Sequence, residues 1–274
     1  MDLVLFLHES ILSTASLFHF GANLGPFHLY YFTFVAMGQK KLERFAEIRT
    51  FQNVLEYPLH MKGRWASFFK NDNPITLELA CGKGEYAVEL GRRYPSRNFI
   101  GVDLKGNRIW VGAKKALEEN LSNVAFIRSQ IDKTDLYFNM GEVSEIWITF
   151  PDPQLRTSKA KKRLTHPHFL RLYQKFLSQG GKIHLKTDSP DLYNFTKLVI
   201  QFYELTVKED NSNVYANDDA HEDLKIRTYY ESLDIAKSRR IHYLQFELPN
   251  EILPNKDEQL KELIIEQEVP GRRA

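Results

Sequence analysis

From about residue 75 onward, short apolar runs alternate with segments of helical period. Residues 75–80, Asn98–Asp103, 124–129, 145–150 and 182–187 are almost continuously apolar, as strands covered on both faces are. Between them, Glu85–Arg93, 107–120 and 166–177 place apolar residues three and four apart over helical lengths. Strand followed by helix, repeated, predicts a parallel sheet with right-handed crossovers. After residue 200 the pattern changes. Residues 202–208 and 241–247 predict an antiparallel pair that closes the sheet, with a solvated loop across the polar, acidic stretch 209–222. Residues 254–274 form a charged tail, helical at 257–267 if anywhere.

Composition narrows the class. At 274 residues the chain can bury one good core and still carry appendages. A net charge of +2 excludes a uniformly basic coat, so any polyanion site has to be a local cluster. One cysteine, Cys81, excludes an internal disulfide and a multi-cysteine metal site, and it fits a reducing cytoplasm. No metal site is expected. Residues 1–36 have no Lys or Arg, and the first is Lys40, so the positive region of a secretory signal is missing. Their apolar runs are too short or too mixed to span a bilayer, and no membrane partner is expected. Composition shifts abruptly at Met37, which we read as the natural start, with 1–36 a translated upstream extension. The expected layout is 1–36 extension, 37–74 basic arm and lead-in helix, 75–250 main domain, and 251–274 charged tail.

Thr76-Leu-Glu-Leu-Ala-Cys-Gly-Lys-Gly84 reads as a strand breaking into a glycine turn. Gly82 and Gly84 let the chain turn sharply and bring N–H groups close to a ligand, with the positive end of the next helix facing the same crevice. Gly82, Gly84 and Ala87 also meet the loose dinucleotide pattern, which by itself leaves nicotinamide cofactors open. Two carboxylates sharpen the reading. Asp103 ends the second strand, where it can accept from both hydroxyls of a ribose. Glu78, inside the first strand, suits a cofactor carrying a sulfonium and an ammonium better than one carrying a pyrophosphate. Gln130, after the third strand, stands where such sheets meet an adenine, or it simply satisfies its turn.

Phe150-Pro-Asp-Pro153 is the most specific local signal. Prolines on both sides fix the backbone and favour extended residues before them, holding Asp152 at the sheet's carboxyl edge. Arg156, Lys159, Lys161, Lys162 and Arg163 follow at once and read as a phosphate-binding patch for RNA. Lys40, Lys41, Arg44 and Arg49 are candidates for an arm on the same ligand. His166 and His168 flank Pro167 at a helix start and are assigned structural roles.

Residues 37–248 resemble the bacterial tRNA (guanine-N7)-methyltransferases. The resemblance rests on Met37-Gly-Gln-Lys-Lys-Leu-Glu-Arg-Phe45, Leu77-Glu-Leu-Ala-Cys-Gly-Lys-Gly84, Phe150-Pro-Asp-Pro153, Lys162-Arg-Leu-Thr-His-Pro167, Gly180-Gly-Lys-Ile-His-Leu-Lys-Thr-Asp188 and Thr228-Tyr-Tyr-Glu231. It implies a Rossmann-like class I methyltransferase of the α/β class, with a mostly parallel seven-stranded sheet and an antiparallel closing strand. The implied cofactor is S-adenosylmethionine. The implied reaction is methylation of guanine N7 in tRNA, at position 46 of the variable loop. By position, the resemblance assigns Glu78, Asp103, Gln130 and Asp152 to the methyl donor, and it marks Asp152 as the active site. It assigns Arg156, Asp188, Thr228, Tyr229, Tyr230 and Glu231 to the substrate nucleotide. The chain departs from the family pattern at Gln130, commonly Asp, at Gln154, commonly Trp, and at Arg156, commonly Lys.

Two competing classes make different demands. A nicotinamide dehydrogenase needs a hydride-transfer acid or base and gives no reason for the rigid Asp152 loop. A non-catalytic RNA-binding module gives no reason for intact Glu78, Asp103 and Asp152. The motifs do not distinguish a monomer from a homodimer.

Overall fold

The computed structural model describes residues 42–268 except 217–219, 234, 236, 238 and 239. The chain divides into two units after Glu43, and the sheet, its helices and the candidate site belong to the unit from Arg44 onward. The expected start at Met37, the arm residues Lys40 and Lys41, and the end of the charged tail lie outside the described residues.

Eight strands make one sheet: β1 (Val54–Glu56), β2 (Ile75–Leu79), β3 (Asn98–Asp103), β4 (Val124–Arg128), β5 (Val143–Thr149), β6 (Leu177–Thr187), β7 (Thr206–Asn211) and β8 (His242–Glu247). Their order is β1-β4-β3-β2-β5-β6-β8-β7. Neighbours run parallel except at β8, which is antiparallel to both β6 and β7. The doubly wound sheet with an antiparallel closing strand is therefore present, with one addition. Three-residue β1 extends the edge beside β4, too short to leave a periodic signature.

The helices are α1 (Trp65–Phe69), α2 (Glu85–Arg93), α3 (Gly106–Glu118), α4 (Pro167–Tyr173), α5 (Pro190–Phe202), α6 (Tyr229–Ser232) and α7 (Asp257–Glu268). They cover both faces of the sheet. One apolar cluster gathers Tyr86, Val88, Ile109 and Ala113 of α2 and α3 against Phe99, Phe126, Trp147 and Tyr243. The other gathers Trp65, Leu170, Leu192 and Leu260 against Leu77, Ile100, Ile148 and Leu185. Neighbouring residues such as Phe99 and Ile100 serve opposite clusters, which is why the strands read as unbroken apolar runs.

Three boundaries differ from expectation. Helix α4 stops at Tyr173, and β6 begins at Leu177 rather than 182. The β5–β6 register jumps from Val143↔Leu177 to Glu145↔Lys182, and Gly180, at φ 69°, lets the extra residues bulge out. Helix α5 occupies Pro190–Phe202, capped by the Ser189 hydroxyl accepting from Leu192 N at 3.3 Å, so β7 starts only at Thr206. The stretch 209–222 is not all loop: β7 runs to Asn211, and Val214 is buried and donates its N–H to Ile241 O at 2.7 Å.

Candidate active site

The carboxyl ends of β3, β2 and β5 lie side by side where the strand order reverses, the position at which open α/β sheets bind ligands. Both central strands end in a left-handed residue that is not glycine: Ala80 after β2, at φ 55°, and Phe150 after β5, at φ 47°. Each costs on the order of 1 kcal/mol. For Phe150 this departs from the expected extended conformation before Pro151.

On the β2 side the turn is organised by carboxylates. Gly82 and Gly84 adopt φ values of 56° and 69°. A Cβ on Gly84 would stand 2.4 Å from the Phe126 ring, so both conformation and packing require glycine there. Asp103 is buried; its Oδ2 accepts from Gly82 N at 2.9 Å and its Oδ1 from Lys105 N at 2.8 Å. Each carboxylate oxygen accepts two hydrogen bonds, so capacity remains for two ribose hydroxyls. Glu78 is 3% exposed. Its Oε2 accepts from Ala87 N in the first turn of α2 at 2.8 Å, and its Oε1 accepts from the Thr149 hydroxyl of β5 at 3.2 Å. Burial pushes its pKa up to about 8, against those hydrogen bonds. A buried carboxyl held so high lacks a cation, and a sulfonium or ammonium would supply one. Cys81, within this turn, is buried, and burial raises its thiol pKa well above the ordinary range, so it is no nucleophile.

Gln130 follows β4 at the same edge, beside Asp103, and is exposed at the start of a 3-10 turn, Ile131–Leu136. Ser129 N donates to Asp103 O at 3.1 Å, tying that loop to the β3 end.

On the β5 side Asp152 is exposed, its Oδ1 accepting from Gln154 N at 3.0 Å. The basic segment is no irregular loop but two turns of 3-10 helix, Thr157–Lys162. Arg156, Lys159, Lys161 and Lys162 are exposed along it, and Lys161 lies 3.6 Å from Glu258 of α7. Arg163 parts from them. It is 4% exposed, stacks on the Phe195 ring, and donates to the carbonyls of Pro153, Gln154 and Leu155. The expected phosphate contact becomes an internal brace for the Asp152 loop. Asp188 is half-buried just past β6, and Arg44, from the expected arm, lies over the Trp110 ring. His166 caps α4 by accepting from His168 N at 3.1 Å, and burial lowers its pKa to about 4.

The short helix α6 brings the two sides together. Thr228 caps it, accepting from Glu231 N at 3.1 Å. The Tyr230 ring lies over Gly82, where an added Cβ would stand 3.1 Å from it, and Arg108 lies over the same ring. Tyr229 N donates to Glu85 Oε1 at 3.2 Å, with Lys83 above the Tyr229 ring. Glu231 turns inward to Lys186 and Tyr215, two residues to which the sequence motifs assign no role. A lysine between Leu185 and Thr187 in an apolar strand is the available signal for the first. Burial lowers the Lys186 pKa, and Glu231 opposes the shift.

A separate cleft of about 390 Å³ opens behind the glycine turn, between α2, α3 and residues 225–227. Lys83, Arg93, Lys115, Lys225 and Arg227 line it, and none of Glu78, Asp103 and Asp152 does, so it is not the carboxylate crevice. Among the described residues there is no cluster suited to a metal ion and no helix long and apolar enough to cross a membrane.

The family described as "Putative methyltransferase" matches residues 72–244. The tRNA (guanine-N(7)-)-methyltransferase of Bacteroides fragilis is 47% identical over 78% of this chain and 88% of its own length. That of Porphyromonas gingivalis is 49% identical over 73% and 86%. Among solved structures, the 16S rRNA methyltransferase KamB superposes with a TM-score of 0.52 at 13% identity, over 68% of this chain and 94% of its own. A 30S ribosomal A1408 methyltransferase from an uncultured bacterium superposes at 0.50 and 17%, over 68% and 93%. At such identities these two speak for the fold alone, that of a class I methyltransferase.

Proposed function

The chain belongs to the tRNA (guanine-N(7)-)-methyltransferase family, and from that premise we propose how its residues divide the work. It is a methyltransferase that uses S-adenosylmethionine and methylates guanine N7 in tRNA. The finer target is position 46 in the variable loop and the compartment is the cytoplasm; the methyltransferase domain takes in β1, α1 and α7 beyond the expected 75–250.

S-adenosylmethionine supplies an electrophilic methyl group on a cationic sulfur. Asp103 takes the ribose hydroxyls on its unused lone pairs, and Gln130 borders the adenine. Glu78 faces the cationic methionine end and thereby gains the counter-ion that its burial withholds. Gly82 and Gly84 let the turn follow its left-handed path, with Tyr230 over the first and Phe126 against the second. Guanine N7 carries a lone pair and no proton, so no general base is required. Rate then comes from alignment and from a fixed negative charge near the ring that turns cationic. Asp152, on its braced loop, supplies that charge, and Asp188 borders the same edge. Glu231 accepts from the N1–H and amino group of guanine, with Thr228 setting the start of its helix and Tyr229 and Tyr230 offering aromatic faces. Arg156, Lys159, Lys161 and Lys162 grip phosphates.

The observation that carries this reading is the convergence of Glu78, Asp103, Asp152 and α6 on one sheet edge. The test is a reaction of the purified protein with unmodified tRNA transcript and methyl donor, followed by nucleoside mass spectrometry and cleavage at N7-methylguanine. The expected product is N7-methylguanosine at position 46. Methylation of another guanine atom, or no product, overturns the reading.

A further inference from the structure

The sheet's carboxyl edge holds a charge that the proposed division of work leaves unused. Lys186, near the end of β6, has a side chain with 0% exposure. Its ammonium donates to Glu231 Oε2 at 2.9 Å, to Ile226 O at 2.9 Å and to the Tyr215 hydroxyl at 3.4 Å, which uses all three of its donors. Tyr215 in turn donates to the other oxygen of Glu231. The Lys186 carbonyl accepts from Phe150 N at 2.8 Å, two residues before Asp152. The ammonium also lies 5.4 Å from the Phe150 ring centre. Burying an ammonium is costly, and where only cohesion is needed an apolar residue of similar volume does as well or better. Something other than cohesion accounts for a lysine here.

We propose that Lys186 is the positioning residue for guanine recognition: with Tyr215 it holds the Glu231 carboxylate at the angle that reads the base. The inference rests on the assignment of Glu231 to the guanine edge. Lys186 and Tyr215 take one hydrogen bond on each Glu231 oxygen, and each oxygen accepts two. One acceptor site per oxygen is left, which matches the adjacent N1–H and amino donors of guanine. Adenine offers an acceptor at N1 and meets a lone pair instead. Specificity for the base then depends on a residue that never touches it. Because α6 also carries Tyr230 over Gly82, the same anchor sets the guanine contact beside the donor crevice.

The test compares single-turnover methylation of tRNA carrying guanine or inosine at the target, with donor affinity by calorimetry. Inosine keeps N7 and N1–H but lacks the amino group. Wild type should prefer guanine by about tenfold, the worth of one hydrogen bond to a charged acceptor. Lys186→Met should slow guanine methylation about 10- to 100-fold and cut the preference below about threefold, with donor affinity and tRNA KM within about threefold of wild type. Lys186→Arg should restore the preference. Tyr215→Phe, exposed enough to be tolerated, should lower it in the same direction and serves if Lys186→Met does not fold. Loss of preference in Glu231→Gln with full preference in Lys186→Met, or in Tyr215→Phe where that variant stands in, overturns the inference and leaves the Glu231 assignment standing. Full preference in Glu231→Gln overturns both. Loss of donor binding in step with rate in Lys186→Met makes the lysine merely structural and overturns the inference.

Discussion

The two halves of the site are built in opposite ways. The donor half, around Glu78, Gly82 and Asp103, is buried, and each of its polar groups already has a partner. The acceptor half, from Asp152 through the 3-10 turns to Lys162, keeps its charged side chains in solvent apart from its Arg163 brace. A small cofactor needs a pocket whose shape exists before it arrives, whereas folded RNA brings its own surface and needs charges that can adapt to it. Substitutions on the donor half should therefore change donor affinity and protein stability. Those on the acceptor half should change rate and salt dependence at almost constant stability.

The sharpest test of that division is Asp152→Asn. It keeps the turn geometry and removes the charge, so turnover should fall about 10²- to 10³-fold in a steady-state assay. Melting temperature should hold, because the side chain is exposed. A large loss of donor affinity with normal turnover would break the comparison. Next in size, Glu78→Gln should weaken donor binding about 10- to 100-fold by calorimetry and leave the KM for tRNA unchanged. On the RNA side, replacing Lys159 and Lys162 together by Ala should weaken tRNA binding several-fold and lower the slope of log affinity against log salt by about two. Arg163→Met is the control that separates brace from ridge. The salt slope should stay at the wild-type value, while the carbonyls it leaves unpaired cost about 1–3 kcal/mol and lower the melting temperature by a few degrees.

The smallest expected signal is a proton. The Glu78 pKa in the folded protein is raised to about 8, chiefly by burial. The folded state thus favours the protonated acid over the unfolded chain. The stability this contributes is full below the ordinary carboxyl range near pH 4.5 and is lost as pH rises toward 8. A cationic donor favours the ionised form. Binding near neutrality should release up to one proton, read by calorimetry in buffers of different ionisation enthalpy, and affinity should climb through pH 7 and level off above pH 8. Glu78→Gln should abolish the release.

Much of this architecture is readable without coordinates. Asn98–Asp103 and Glu85–Arg93 fall on their observed bounds because doubly covered strands and amphipathic helices carry strong periodicity. What escapes is either too short or told apart only by neighbours distant in sequence. Val54–Glu56 has no room for a pattern. Arg163 looks like its neighbours in a run of cations, yet it alone meets Phe195 and the carbonyls of the proline loop. Lys186 and Glu231 sit in two separate family motifs that nothing in the sequence pairs, and their shared partner Tyr215 lies in the stretch that pattern alone describes as solvated loop. Phe150 takes a left-handed turn that a following proline argues against, because Lys186 O holds its N–H at the sheet edge.

Cys81 gives the donor half a practical handle. The residue is 4% exposed and its N–H is tied to Val102 O at 3.1 Å. Protonated at neutral pH and shielded from solvent, the thiol ignores aromatic disulfide reagents for as long as the crevice floor stays shut. Labelling therefore requires that floor to open, and its rate reports the opening at the only sulfhydryl in the sequence. The protein carries its own stopwatch, and slower labelling with the methyl donor present would time the crevice directly, without a dye or an added tag.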